Sequence, residues 1–529
     1  MTNLTPEQRA LGRSNFNEAI GSTRRDFLKA AAAAPMLGAF YFGYGQLGGA
    51  PVKAAIIGTG NEGCGAMIHD HNRDYVDYIG YCDIRPYNQK RAVKEFTNHK
   101  QYTPADVQKL RKYADVKEML ADKDVEMVVI ALPLWLHAPV AIEAMKAGKH
   151  VFCEKLMAHN ISECKEMIKV AHDTNRLLAI GHQRHYSVLY DNANYLLQQN
   201  QLGEIRHIRA LWHRNNARPQ IEKDKSGNYV YESDGSPRYV RDKAGNIQYQ
   251  DSWKPPIPAE DAGIDYAKHG YKSLEELVRW RLFNRTGAGL MAELGSHQLD
   301  ACSIFLGKKH PLAVTGVGGT FFYTDHREVD DHVFVSFEFP GKTYDPKVKR
   351  DNGDHVVVTY SSINTNAFEN YGETVYGTRG TMIVEGEKEI LLYPEAGLAA
   401  TSRSTAISVE TKASGKPVIE VSPSTAAAPT AAASLGGLAV ADPSRGYREE
   451  LEHFAYCIRN SDKNNYHAQT DPKLIPRCRG EVALADAVIA LTSNIAMREK
   501  RRIEFEESWF DWKSPEVPES KSGSAVAKS

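Results

Sequence analysis

The stretch KAAIIGTGNEG, Lys53 to Gly63, decides how the chain begins to fold. KAAIIG reads as a short buried strand, and the glycines after it stand at Gly58, Gly60 and Gly63, where a helical pattern opens. A glycine turn between a buried strand and a helix gathers free backbone N–H groups at the helix start, where phosphates are held. Twenty residues after Gly63 a second apolar run, YIGYCD (Tyr78 to Asp83), ends on an acid suited to ribose hydroxyls. Gly58, Thr59, Gly60, Asn61, Glu62, Gly63 and Asp83 are therefore dinucleotide-binding candidates. Asp83 favours NAD, because a carboxylate repels a 2′-phosphate. Arg85, two residues on, is suited to receive that phosphate and leaves NADP open.

Further apolar runs follow at EMVVIAL (Glu126 to Leu132), HVFCEK (His150 to Lys155) and LLAIGH (Leu177 to His182), with amphipathic stretches at Pro139 to Ala147 and Ser162 to Asp173. Strands alternating with helical patterns predict a doubly wound parallel sheet, assigned to residues 51–185. Past Tyr186 a polar insertion spans 215–272, where DKSGNYVY (Asp224 to Tyr231) nearly repeats as DKAGNIQY (Asp242 to Tyr249). Its Gly-Asn turn chemistry predicts small surface hairpins. HVFVSFEF (His332 to Phe339), HVVVTYSS (His355 to Ser362) and TMIVEG (Thr381 to Gly386) alternate in polarity. They predict a second, α+β domain over 186–512 with a large, mostly antiparallel open sheet. Helical patterns at Tyr447 to Arg459 and Glu481 to Met497 are expected to close that domain. Residues 399–440 read as a low-complexity loop, and 513–529 as a disordered tail.

The chain has 529 residues, 42% hydrophobic and 25% charged, an ordinary globular balance. Its 65 Lys+Arg and 66 Asp+Glu cancel to −1, so bulk charge favours neither nucleic acid nor anionic lipid. Seven cysteines without a CxxC pair argue against a disulfide framework or a structural zinc site. HDH (His69 to His71) reads as a helix face, and no metal is assigned. Residues 1–50 are different. STRRDFLK (Ser22 to Lys29) precedes a weakly apolar Ala- and Gly-rich run to Ala50, an order that resembles a twin-arginine export signal. That resemblance implies the twin-arginine machinery as a partner, a periplasmic location, and a tightly bound cofactor seated before export. The run is marginal for a membrane span, so no stable span is expected after signal removal; cleavage near Ala50 and a retained N-terminal anchor both fit.

The ordered set GTGNEG, Asp83, LPLWLHAP (Leu132 to Pro139), CEKL (Cys153 to Leu156) and GLMAELGSHQLD (Gly289 to Asp300) resembles the Gfo/Idh/MocA oxidoreductases, from about Val52 to about Phe505. The resemblance implies a Rossmann domain followed by an open-sheet domain that supplies substrate contacts and often an oligomer interface, hence a homo-oligomer. The family's Glu-Lys-Pro lysine matches Lys155, and its Asp-x-x-x-His matches Glu293 and His297. Two departures stand out: Leu156 replaces the proline, and Glu293 is one methylene longer than aspartate.

Lys155 falls at the carboxyl end of a parallel strand, where such sheets place ligands. Glu293, His297 and Asp300 lie at i, i+4 and i+7, on one stripe of a helix. Lys155 and His297 compete as the base. The preferred arrangement has His297 handle the proton, Lys155 polarise the oxygen and Glu293 orient His297, with Asp300 holding the helix. The resemblance turns Glu154 toward the nicotinamide or its ribose. Trp135 and His137 stand at a strand-to-helix turn close to the expected cofactor. His182, Arg184 and Tyr186, with His213 and Arg214, are substrate-pocket candidates. The reading is hydride transfer between NAD(P) and a secondary hydroxyl of a sugar, glycoside or cyclitol. The alternatives are NAD-dependent glycoside cleavage through transient oxidation and elimination, and a non-enzymatic nucleotide-binding sensor.

Overall fold

The apolar runs become six parallel strands: β1 (Val52–Ile57), β2 (Val76–Cys82), the short β3 (Arg111–Lys112), β4 (Met127–Ile130), β5 (His150–Glu154) and β6 (Leu178–Gly181). Their order is β3-β2-β1-β4-β5-β6, so the chain reverses direction between β1 and β4. Ligands of such sheets sit outside the carboxyl ends at that point. The computed structural model describes residues 4–20, 41–242, 245, 247–348, 353–395, 407–411, 417–421 and 445–521.

A second sheet has eight strands, with β7 (Ile205–His213) at its centre. The others are β8 (Ala313–Gly319), β9 (His332–Pro340), β10 (His355–Ile363), β11 (Tyr371–Gly377), β12 (Gly380–Glu385), β13 (Glu389–Pro394) and, at the far edge, β16 (Ile503–Glu504). The order is β13-β12-β11-β7-β10-β9-β8-β16, antiparallel except where β7 meets β10. Alternating buried and exposed residues along β9 and β10 turn one face inward. The helix Ser296–Phe305 packs on that face, and Gly480–Glu499 bridges it to the helix Ile161–Asp173 of the first domain. Gly480–Glu499 is apolar enough to cross a membrane by composition, but its Ala483, Leu484, Ala487 and Val488 are buried in the shared core.

Four expectations change here. The helix Tyr447–Asn460 does not close the second domain. Its Leu451, Phe454 and Ile458 pack on Val52, Ile56 and Phe152, because the doubly wound sheet needs its other face covered. The tail is packed as far as Glu519: Val517 is buried, and Glu519 accepts the Ile161 N–H at 2.7 Å. Lys165 holds this segment through the carbonyls of Ser508, Ser514 and Glu516. Within 399–440, β14 (Ile407–Thr411) and β15 (Pro417–Val421) pair as antiparallel strands, while the rest of that span lies outside the described residues. His71, expected on a solvated face, is buried and bonded to the Ile68 carbonyl.

The N-terminal region is also joined to the body. Arg24 and Arg25 lie outside the described residues, but the helix Pro6–Ala19 covers β13. There Arg9 meets Glu385 at 2.7 Å and Glu389 at 2.5 Å, and Asn15 donates to the Leu392 carbonyl. Tyr44 is buried, stacks on His453 and donates to Glu452 at 2.8 Å. Burying Phe42 and Tyr44 alone contributes about 3 kcal/mol or more. Deleting residues 1–50 should therefore lower the thermal midpoint by several degrees. An unchanged midpoint in calorimetry would show that these contacts add no stability.

Candidate active site

A cavity of about 790 Å³ opens at the carboxyl ends of β1, β2, β4 and β5 and reaches the second domain. Gly58, Gly60, Asn61, Glu62, Asp83, Arg85, His137, Glu154, Lys155 and Glu293 line it, so ten of the expected site residues meet there. Gly58 has φ +90°, and a Cβ on it would sit 2.3 Å from the Ala131 carbonyl oxygen. A Cβ on Gly63 would sit 2.1 Å from the Gly58 carbonyl oxygen. Gly60 meets nothing within 4 Å and leaves its backbone open to the cavity. That combination fits a pyrophosphate laid against the loop. Thr59 does not face the cavity. Its N–H and hydroxyl donate to Asp83 at 2.8 and 3.2 Å, tying the loop to the end of β2. Burial pushes the Asp83 carboxyl up in pKa, against the N–H groups of Arg85 and Thr59 that stabilise its anion.

At the other end, the Lys155 ammonium donates to the Glu293 carbonyl oxygen at 2.9 Å, which joins the two domains. The Lys155–Leu156 peptide bond is cis. Glu154, buried behind it, accepts the Lys155 N–H at 3.2 Å, and Gly181 on β6 makes room for its carboxyl. Burial, with Glu62 adding to it, raises the Glu154 pKa well above the carboxylate range. The neutral acid can then donate a hydrogen bond into the cavity.

The expected stripe divides. Met291–Gly295 is a π-helical turn, followed by the α-helix Ser296–Phe305, so the α-helical register assumed for Glu293 and His297 is broken between them. Glu293 turns to the cavity, where Arg281 donates to it at 2.6 Å. Burial would raise its pKa, but Arg281 and Lys155 outweigh burial and hold it below the ordinary value. Glu293 thus pairs with Arg281 and does not orient His297. His297 lies outside the cavity lining, 8% exposed, with its ring 5.4 Å from that of Trp212. Burial, then Lys155 and Arg184, keep its pKa well below the ordinary value and its ring neutral. Asp300 braces the helix, as expected, by accepting from His185 and Lys308 at 2.8 Å each.

Other candidates serve the scaffold. Arg184 is fully buried between Glu373 and Glu387, at 3.1 and 3.0 Å, and also donates to the His297 carbonyl, so it offers nothing to a substrate. Tyr186 bonds His453 at 2.8 Å and accepts the Arg477 N–H at 2.9 Å. His182 is sealed in the core, its Nδ1 3.9 Å from Asp300. Trp135 packs edge-on against Tyr271 beneath the Arg285 guanidinium, outside the lining. His137 lines the cavity but also fastens two strand-end loops, its ring nitrogens 2.8 Å from the Leu156 and Leu132 carbonyl oxygens. His213 bonds Ser361 at the sheet rim, and Arg214 lies over Trp212. Neither lines the cavity.

Sequence reasoning missed Arg281, Trp280, Tyr271 and Trp253, all of which line it. Only the aromatic and basic residues of DSWKPP and VRWRLF mark Trp253, Trp280 and Arg281 in the sequence, and nothing local marks Tyr271.

Residues 52–182 match the oxidoreductase family with an NAD-binding Rossmann fold, and 266–383 match the GFO/IDH/MocA C-terminal domain. Two stretches of the chain thus match models of the GFO/IDH/MocA oxidoreductases, and the first domain is an NAD-binding Rossmann domain. The insertion up to residue 265 lies outside both matches. An inositol 2-dehydrogenase of Salmonella typhimurium is 28% identical over 155 residues, 29% of this chain and 43% of that protein. A glycosyl hydrolase family 109 protein of Stenotrophomonas maltophilia is 25% identical over 354 residues, 66% of this chain and 68% of that one. The chain spans only 35% to 40% of the length of the first curated relatives that it matches. The fold matches the inositol dehydrogenase homolog of Azotobacter vinelandii, solved with NADH and myo-inositol, at TM-score 0.55 and 12% identity, over 87% of this chain and 99% of that one.

Proposed function

We propose that this protein is an NAD-dependent oxidoreductase that moves a hydride between the cofactor and a secondary hydroxyl of a sugar, glycoside or cyclitol. The observation that carries the reading is Lys155, bonded to Glu293 across the domains, in the same cavity as the glycine loop. A bound NAD supplies the hydride acceptor. The Lys155 ammonium gives one donor to the Glu293 carbonyl and keeps two for the reacting oxygen. His297 lies outside the cavity lining, so in the oxidation direction the proton goes to Lys155 in its amine form, and Glu293 stays charged beside Arg281 to hold a second hydroxyl. The named inositol dehydrogenase relatives support a polyol or sugar substrate.

The match to the Stenotrophomonas protein, the widest of those above in its cover of this chain among the named curated relatives, favours a second reading. In that reading the same oxidation is transient: the sugar gives its hydride to the cofactor, elimination expels the glycosidic substituent, water adds in its place, and the sugar takes the hydride back, so the cofactor ends re-oxidised with no net change. One experiment separates the two. The purified protein is offered a panel of cyclitols, sugars and aryl glycosides while reduced nicotinamide and aglycone are both followed. Accumulation of reduced nicotinamide supports the first reading, and aglycone release without it the second. Neither signal with any substrate, in protein shown to bind NAD, would remove both.

Two further parts of the proposal concern location and assembly. The Arg24-Arg25 pair fits twin-arginine export to the periplasm with the cofactor already bound; an Arg24→Lys, Arg25→Lys variant that still left the cytoplasm would sink it. The cross-strand pair Val317 and Phe334, 63% and 45% exposed on the outer sheet face, fits a homo-oligomer interface. A monomer mass in light scattering would remove that part.

A further inference from the structure

The insertion does more than form surface hairpins. Its last part, from Asp251 to Asp261, crosses the cleft as a strap fixed at both ends. On the second domain, Arg327 reaches Asp251 at 2.7 Å, Lys254 reaches Asp325 at 2.9 Å, and Arg279 donates to the Pro255 carbonyl at 2.9 Å. On the first domain, Arg85 Nε donates to Asp261 Oδ2 at 2.8 Å, and the Tyr87 N–H donates to Asp261 Oδ1 at 3.0 Å. Neighbouring Glu260 meets Lys90 at 3.3 Å. Between these anchors Trp253, Pro255, Pro256 and Pro258 form a wall of the cavity, opposite Asp83, Ile84 and Arg85.

Asp261 is fully buried, so its pair with Arg85 is shielded from solvent. Such a pair resists being broken, because separation leaves a buried charge without a partner. Arg85 is the residue in this chain suited to receive a 2′-phosphate, and here its charge is already matched. Asp83 at the end of β2 accepts the Arg85 backbone N–H, while Asp261 of the strap takes its guanidinium.

We propose that Asp261 is a cofactor-specificity residue: it holds Arg85 away from ligand phosphate, selects a dinucleotide with a free 2′-hydroxyl, and closes the strap over it. This rests on the NAD reading of the cleft and extends it to Asp261, which neither family match covers.

The test measures NAD and NADP binding to nucleotide-stripped full-length protein by calorimetry, and release of bound nucleotide by stopped-flow fluorescence. Wild type should prefer NAD. Asp261→Asn keeps the side-chain volume and the Tyr87 contact. It should shift the NAD-to-NADP affinity ratio toward NADP by about tenfold or more, the equivalent of one ion pair, and speed NAD release by a similar factor. Asp261→Asn/Arg85→Gln should lose the NADP gain while keeping the faster release. An unchanged ratio in Asp261→Asn, with its thermal midpoint close to wild type, would overturn the proposal and leave the NAD reading intact. Equal binding of both nucleotides by wild type would do the same. Binding of neither by wild type would overturn the NAD reading and the proposal together. If Asp261→Asn fails to fold, the single Arg85→Gln variant decides: faster NAD release with the NAD preference kept or increased supports the role of the pair, and unchanged release or a gain in NADP affinity overturns it.

Discussion

Lys155→Met should abolish hydride transfer while the protein still binds NAD. The substitution keeps the length of the side chain and removes all three of its donors, including the one that spans the domains to the Glu293 carbonyl. Losing the group that holds the reacting oxygen should lower kcat by about 10³-fold or more, since positioning and proton handling each contribute factors of that order. The glycine loop, with Gly58 locked against Ala131 and Thr59 against Asp83, does not depend on the lysine, so NAD affinity should change little. Single-turnover kinetics and calorimetry on the same sample check both halves. Turnover within tenfold of wild type would take Lys155 out of the chemistry.

The second large effect is on stability. Arg184→Met should destabilise the protein by about 3–5 kcal/mol, because Glu373 and Glu387 would be left buried without their shared cation. Burial already pushes the Glu373 pKa up to about 7 even with Arg184 present, whereas Arg184 and Arg445 outweigh burial at Glu387 and hold it below the ordinary value. Denaturant unfolding at neutral pH reads the loss. The Arg184→Met/Glu373→Gln double variant should recover part of it by removing one orphaned carboxyl. Because Arg184 also donates to the His297 carbonyl, the single variant should lose activity under conditions where it is still folded. A stability change under 1 kcal/mol would mean that this buried trio contributes little.

The parallel sheet was legible because each of its long strands is a local signal. A run such as EMVVIAL is buried on both faces, and burial on both faces erases alternation. The glycine loop was legible for a similar reason, since contacts at 2.1 and 2.3 Å exclude any side chain and force the residue type. Lys155 and Glu154 followed from their place at the end of β5. The helix Tyr447–Asn460 was seen as a helix but given to the wrong domain. Its apolar face says that it is buried, and says nothing about which of two sheets covers it.

The active-site stripe shows the limit most clearly. Spacing put Glu293 and His297 on one face of an α-helix, but the π-helical turn at Met291–Gly295 divides them between cavity and core. The partner that sets the charge of Glu293 is Arg281, brought back by the turn at 284–286, and no local pattern announces that pairing. Arg184 and Tyr186 had the right position after β6 to face a ligand, but Glu373 and Glu387 of the second domain enclose the first and the helix Tyr447–Asn460 covers the second.

The amino-acid sequence by itself determined the doubly wound domain, the dinucleotide loop and the lysine at the strand end, because each depends on residues within one βα unit. Only the tertiary structure decided which charges meet: Glu293 with Arg281, Arg184 with two glutamates, and Asp261 of the insertion with Arg85. The reason is physical. A strand or a glycine turn is specified by local sterics and burial, whereas the partner of a buried charge is set by whichever distant segment the chain brings within about 3 Å of it.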